Sequence, residues 1–217
     1  MSASKPLLMV TGFDPFGGER LNPSWEVCAA LDGAEFGGAR VVAWRLPCAF
    51  GAALEALDAG LARHVPALVL CLGQAAGRAD FSVERVAINV DDARIADNLG
   101  ACPVDVPVVP GGPAAYFATL PIKAMVAALH GAGLPASVSQ TAGTYVCNHV
   151  FYGLMHRLAA RPGVRGGFMH LPLLPAQAAH RPGPSLPLAT QVEGVRIALA
   201  AAWATAQDLC AAGGAEC

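Results

Sequence analysis

Ala67-Leu-Val-Leu-Cys-Leu72 is apolar at every position, with no polar residue to mark a solvent face. A short run of this kind suits a strand buried on both sides, the environment of a parallel sheet covered by helices. Upstream, residues 6–11 and Arg40–Leu46 read as further strands. Pro23–Leu31 between them reads as a helix, with Asn22 as N-cap and proline in the first turn. Phe50–Arg63 has helical periodicity. Downstream, Phe81–Val90 reads as one or two strands, and residues 97–113, with four prolines and three glycines, as an irregular surface loop. A helix is expected over about 114–131, a strand over Ala136–Gln140, a helix over Val146–Ala160 and a strand over Gly167–Leu171. A proline-rich loop at 172–187 and a last helix at Gln191–Leu209 complete the order. Alternating strands and helices predict a single α/β domain over residues 1–217, with 211–217 as a flexible tail. Its core would be a mainly parallel or mixed twisted sheet flanked by helices on both faces.

Composition narrows the function. Hydrophobic residues make up 54% and charged residues 14% of the 217, the balance of a globular chain. A net charge of −2 gives no general attraction to nucleic acid or to an anionic membrane. The apolar run Leu7–Val10 is too short for a signal-peptide core, and no charge-free run reaches membrane-spanning length. The seven cysteines are widely spaced and include no Cys-x-x-Cys pair. That argues against a disulfide framework or a zinc site and for a reducing, cytoplasmic setting, although Cys210 and Cys217 near the end are candidates for cross-linking subunits. No His-Glu-x-x-His or tight His/Asp cluster suggests a metal, and the run Gly12–Gly18 lacks both the P-loop lysine and the dinucleotide-binding glycine spacing.

Ligands of such sheets bind at the carboxyl ends of the strands, which points to segments 12–18, 73–78, 141–147 and 170–175. Thr141-Ala-Gly-Thr-Tyr-Val-Cys147-Asn-His149 follows a predicted strand and opens a predicted helix. Cys147 would sit in the first turn, where free backbone N–H groups and partial positive charge favour a thiolate and lower the thiol pKa. The same N–H groups could hold an oxyanion. The plainer alternative is a packed core thiol. Among the six histidines, His149 is two residues from Cys147 and should point to another side of the helix. His170 ends the run Gly167–Leu171 at a strand's carboxyl end, where a base would be useful; a hydrogen-bonded core histidine is the alternative. Glu84, in the run Val83-Glu-Arg-Val-Ala-Ile88 that reads as a strand, is a candidate to orient that base. An ion pair with Arg85 or Arg94 would also explain it, and Asp91, Asp92 and Asp97 compete for the role. Phe13 and Phe16, read as exposed-loop residues beside glycines, suit a flat apolar ligand or simply pack on each other.

Several runs together resemble pyroglutamyl peptidase type I, also called pyrrolidone carboxyl peptidase. They are Thr11–Gly18 with Asn22-Pro-Ser24, Gly73-Gln-Ala75 with Gly77-Arg78, Glu84–Asn89 with Asp92–Ile95 and Asp97-Asn98, Thr141–His149, and Phe168–Pro172. The resemblance spans roughly residues 6–177. It implies a Cys147–His170–Glu84 triad, an apolar lactam pocket around Phe13, Phe16, Tyr145 and Val146, and polar recognition of the ring by Asn22 and Gln74. It also implies that the Arg94–Ile95 segment lies beside the oxyanion site and borders the substrate. No metal or organic cofactor is implied, the substrates would be peptides with N-terminal pyroglutamate, and assembly would be as a homotetramer or homodimer. The chain departs from the family pattern at Tyr145, where phenylalanine is common, at Ala176 in place of a glutamate, and at Ala76 in place of a glycine. A cysteine amidase or deacylase for another small acyl amide, and a non-catalytic small-ligand scaffold, remain the competing expectations.

Overall fold

The computed structural model describes residues 5–214. Its elements are β1 (Leu7–Phe13), α1 (Pro23–Leu31), β2 (Glu35–Phe36), β3 (Ala39–Leu46), α2 (Ala52–His64), β4 (Leu68–Gln74), β5 (Phe81–Glu84), β6 (Val86–Ile88), β7 (Ala115–Phe117), α3 (Ile122–Gly131), β8 (Ala136–Ser139), α4 (Val146–Leu158), β9 (Arg165–Leu171), α5 (Pro175–Ala178) and α6 (Leu188–Ala204). The main sheet has seven strands in the order β2-β3-β1-β4-β9-β5-β8. Strands β3, β1, β4 and β9 are mutually parallel, whereas β5 runs antiparallel to β9 and parallel to β8. The sheet is therefore mixed.

Strand parity explains the two cores. Leu8, Val10, Leu68, Leu70, Leu72, Met169 and Leu171 face α1, α3 and α6. Met9, Phe13, Val69, Cys71 and Phe168 face α2 and α4. Every residue of β4 is buried, as an all-apolar central strand requires. Gly12 lets the sheet approach α1 closely, because a Cβ there would lie 2.4 Å from the Ser24 carbonyl oxygen. Asn22 caps α1, its side-chain oxygen accepting from the Ser24 amide.

The expected helix at 114–131 is corrected. Residues 115–117 form β7, which pairs antiparallel with β6, and α3 starts only at Ile122. Pro121 explains the delay: it lacks an N–H, and it disfavours helical geometry at the residue before it. Residues 81–88 make two strands because the chain leaves the main sheet at Arg85 to build this hairpin. The last helix ends at Ala204 rather than 209, freeing Asp208 to accept from the Lys123 and Ala124 amides at the start of α3. Within the expected tail, the Gly213 carbonyl accepts from Arg85, so the chain is anchored to that point; Cys217 lies outside the described residues. Among the described residues no helix is long and apolar enough to cross a membrane.

Candidate active site

Parity and register bring the polar residues together. In the β5–β9 pairing Ser82 opposes His170, and in the β4–β9 pairing Gly73 opposes His170. Phe81 and Val83 face one core, so Ser82 and Glu84 face the other, on the same side as Phe168 and His170. Glu84 thus stands one pleat from His170's partner, within reach across the strands. The Glu84 Oε1 atom lies 2.7 Å from His170 Nδ1 and accepts from the Arg78 guanidinium at 2.6 Å. Arg78 also donates to Ser139 and to the Thr141 carbonyl. Glu84 is fully buried and His170 is 4% exposed. Beside the Arg78 charge, Glu84 acts as a carboxylate acceptor, so Nδ1 of His170 carries the proton and Nε2 is left free to accept one.

Cys147 arrives from the helix packed on the sheet. The chain turns through Gly143, whose φ of +77° suits glycine, and α4 opens with Val146 and Cys147. The first N–H groups of α4 have no intrahelical partners. Gly73 makes room beneath: a Cβ there would lie 2.8 Å from the Cys147 sulfur and 2.8 Å from the Phe168 ring. Cys147 and His170 line one cavity of about 160 Å³ with Phe13, Phe16, Asn22, Cys48, Gln74, Ala142 and Tyr145. This hollow is smaller than the roughly 300 Å³ at which drug-sized pockets begin, and fits a single small ring.

Residues 7–205 match the pyroglutamyl peptidase family.

The chain belongs to the pyroglutamyl peptidase family.

It is 62% identical over 212 residues to a pyrrolidone-carboxylate peptidase of Cupriavidus taiwanensis, an alignment covering 96% of this chain and 98% of that one. It is 58% identical over 209 residues to the corresponding protein of Escherichia fergusonii, with 96% and 98% covered. The crystal structure of pyroglutamyl peptidase I from Bacillus amyloliquefaciens superposes with a TM-score of 0.94 at 44% identity, covering 96% of this chain and 100% of that one. As a pyroglutamyl peptidase family member the chain is a cysteine peptidase.

Electrostatics around the thiol differ from the sequence expectation. Burial pushes the Cys147 thiol well above its ordinary value; the neighbouring Cys48 and Glu84 push the same way, and only Arg78 opposes them among the charged groups acting on it. His170 is lowered from its ordinary value, burial outweighing the pull of Glu84. Both shifts favour a neutral thiol beside a neutral imidazole. The sequence expectation of a lowered thiol value is thus opposed by burial and by the neighbouring Cys48 and Glu84.

Other expected site residues occupy varied positions in this pyroglutamyl peptidase. Phe13 is corrected from an exposed-loop residue to the buried end of β1, 2% exposed, with its ring centroid 6.4 Å from that of Phe168. Asn22 borders the cavity but spends its oxygen on the Ser24 amide and hydroxyl and one N–H on the Asp14 carbonyl, leaving a single N–H to offer. Gln74 accepts from Gln177 at 2.9 Å and keeps its own amide N–H groups for the cavity. Val146 is fully buried behind the wall. Arg94 and Ile95 are exposed and are not among the cavity-lining residues. His149 is not part of the thiol's surroundings: Nδ1 meets Asp91 at 2.7 Å and Nε2 accepts from the Gly51 amide. Among the described residues no group of three or more His, Cys, Asp or Glu is arranged to hold a metal ion.

Sequence reasoning missed the role of Arg78, quoted only as part of a motif. It also missed Cys48, which no local signal distinguished from a core thiol, and the bracing done by Asp97 and Asn98. The Asp97 carboxylate accepts from the amides of Phe50, Leu99 and Ala101. Asn98 reaches the Pro15 and Cys48 carbonyls, and the Ala96 carbonyl accepts from the Tyr145 hydroxyl at 3.1 Å. This loop braces the cavity wall at Tyr145 and Cys48 from outside.

Proposed function

We propose that this chain hydrolyses the peptide bond following an N-terminal pyroglutamyl residue, with Cys147 as nucleophile, His170 as acid–base and Glu84 as the acid that orients it. One observation carries the reading: a thiol and the free nitrogen of a carboxylate-anchored imidazole open into one small cavity walled by Phe13, Phe16 and Tyr145 and bordered by the Gln74 amide. Pyroglutamate has no charged amine for an acidic anchor to hold. Its ring is flat and largely apolar, and its lactam dipole needs a hydrogen-bonding partner once desolvated, which Gln74 and the remaining Asn22 N–H supply.

In the proposed course His170 Nε2 takes the thiol proton as Cys147 Sγ bonds to the pyroglutamyl carbonyl carbon. The oxyanion meets the free N–H groups at the start of α4. The C–N bond breaks as His170 returns the proton to the leaving amine, giving a thioester. Water then gives its proton to His170 and adds to the thioester; loss of the sulfur, reprotonated by the imidazole, releases pyroglutamate. A neutral resting pair requires this transfer to accompany attack, and Glu84 stabilises the imidazolium that results. Assembly as a homodimer or homotetramer in the cytoplasm belongs to the same reading; light scattering and cell fractionation check it.

In a pyroglutamyl-coumarin assay Cys147→Ala is expected to lose all measurable turnover while keeping its melting temperature. Retained turnover in that variant would remove the nucleophile assignment. Release of coumarin from other small acyl groups at comparable rates would instead favour the amidase reading.

A further inference from the structure

His149 and Asp91 are buried, 5% and 4% exposed, and take no part in the chemistry above. Their bonds define one arrangement of protons. The Gly51 amide donates to His149 Nε2 at 3.0 Å, and an amide N–H can only donate. Nε2 therefore carries a lone pair, and the ring proton sits on Nδ1, which donates to Asp91 Oδ2 at 2.7 Å. The other Asp91 oxygen has no hydrogen-bond partner among the described residues, so the carboxylate serves this imidazole alone. The backbone under it is fixed in turn. Asp91 exchanges bonds with Val106, and the Asp92 amide donates to the Thr144 carbonyl. An anchored carboxylate thus orients His149 as Glu84 orients His170, but this second imidazole faces backbone rather than a thiol.

The backbone it faces is strained. Gly51 has φ of +69° and ψ of −62°, and the Ala52 amide reaches back to the Phe50 carbonyl at 2.7 Å. This is the rare form of the three-residue turn, which persists only where neighbouring contacts hold it. Just before the turn stand Cys48, which lines the catalytic cavity, and Phe50. The Phe50 ring meets Tyr145 edge-to-face at 5.4 Å and His149 edge-to-face at 5.3 Å. Tyr145 and His149 lie one turn apart at the start of α4, the His149 amide donating to the Tyr145 carbonyl, so Phe50 is wedged between their side chains. Resting on the peptidase reading above, we infer that His149 is a positioning residue for ring recognition. By holding the Gly51 N–H it keeps Phe50 and Cys48 against Tyr145 and so sets the width of the lactam cavity. It acts through the cavity wall, and so governs how tightly the ring binds rather than the proton transfers at Cys147 and His170.

The experiment compares the full-length wild type with His149→Asn and His149→Gln. Asparagine can still donate to Asp91 but has no atom at the Nε2 position, whereas the glutamine oxygen can stand there and accept from Gly51. Each protein is assayed for kcat and KM on pyroglutamyl-coumarin and for the inhibition constant of 2-pyrrolidinone, the bare lactam ring, with thermal melting to confirm folding. In His149→Asn, KM and the inhibition constant are both expected to rise about tenfold, the effect of one buried donor left unpaired, with kcat within about threefold of wild type. His149→Gln is expected to bring both values back to within about threefold of wild type. If His149→Asn does not fold, Phe50→Leu replaces it: the wedge is removed while His149 keeps Gly51, and the same rise is expected. Unchanged binding of the ring, a fall in kcat as large as the rise in KM, or a glutamine variant as impaired as the asparagine one overturns the positioning role and leaves the peptidase reading intact. No wild-type turnover, or no inhibition of it by 2-pyrrolidinone, overturns the ring-pocket reading and this inference with it.

Discussion

At the residue scale, the site rests on how one imidazole is held. Glu84 shares a single oxygen between His170 and Arg78, so removing its charge while keeping its shape tests orientation apart from packing. Glu84→Gln is expected to lower kcat by about 10- to 100-fold, the range of a weakened acid–base catalyst. The pH profile provides a second check. His170 is lowered below its ordinary 6.5 by burial, and the base must be neutral to accept the thiol proton. The acid limb of kcat/KM is therefore expected below pH 6.5, with activity rising through it and level near neutrality. Glu84 raises the His170 value, so Glu84→Gln should move that limb further toward acid. A limb above pH 7, or one that shifts upward in the variant, would contradict a neutral thiol–imidazole pair. Much of this scale was legible in the sequence, because Cys147, His170 and Glu84 lie in motifs. Arg78 and Cys48 were not: Arg78 meets Glu84 only because the 75–80 turn folds back and packs on Ser139 and Thr141, and Cys48 reaches the cavity only when distant segments pack.

At the element scale, two devices place the thiol. Gly73 provides clearance under the first turn of α4. Gly73→Ala is expected to cost about 1–3 kcal/mol of stability through overpacking and to reduce kcat/KM at least tenfold by moving Cys147 or Phe168, read by thermal melting and by turnover. An active, unshifted variant would show that the clearance is unnecessary. The second device is the 91–101 loop. Asp97→Ala leaves the Phe50, Leu99 and Ala101 amides without their acceptor, a loss of about 1–3 kcal/mol. Because the loop holds Tyr145 and Cys48 rather than the reacting atoms, KM should rise more than kcat falls; the reverse split would place Asp97 in the chemistry. Element types were largely readable from periodicity, as β4 and α4 show. The hairpin of β6 and β7 was not, because Ala114, Ala115 and Ala118 favour helix locally while pairing with β6 decides the outcome.

At the scale of the whole molecule, the double core carries buried thiols whose ionisation the fold resists. Burial raises Cys28 well above its ordinary 9.0, and pushes Cys48 and Cys71 to about 12. A raised folded-state value means the stability contribution is complete below the unfolded value near 9 and is lost as pH climbs toward 12. Each such thiol contributes a slope of about 1.4 kcal/mol per pH unit in that window. Denaturant midpoints measured with reductant are expected to hold between pH 7 and 8.5 and to fall steeply above 9. Cys71→Ala should show a shallower fall than the parent. Equal slopes in the two proteins would mean that Cys71 ionises as freely folded as unfolded.

The sequence by itself determined the α/β class, the buried central strand, the capped α1 and the family, because each depends on local periodicity or on residue identity in short runs. The tertiary structure alone decided that β5 runs against β9 and so sets Glu84 beside His170, that Gly73 clears space for the thiol, and that burial pushes that thiol's pKa upward. Those outcomes depend on register and desolvation, which arise only when distant segments pack and water is driven from between them.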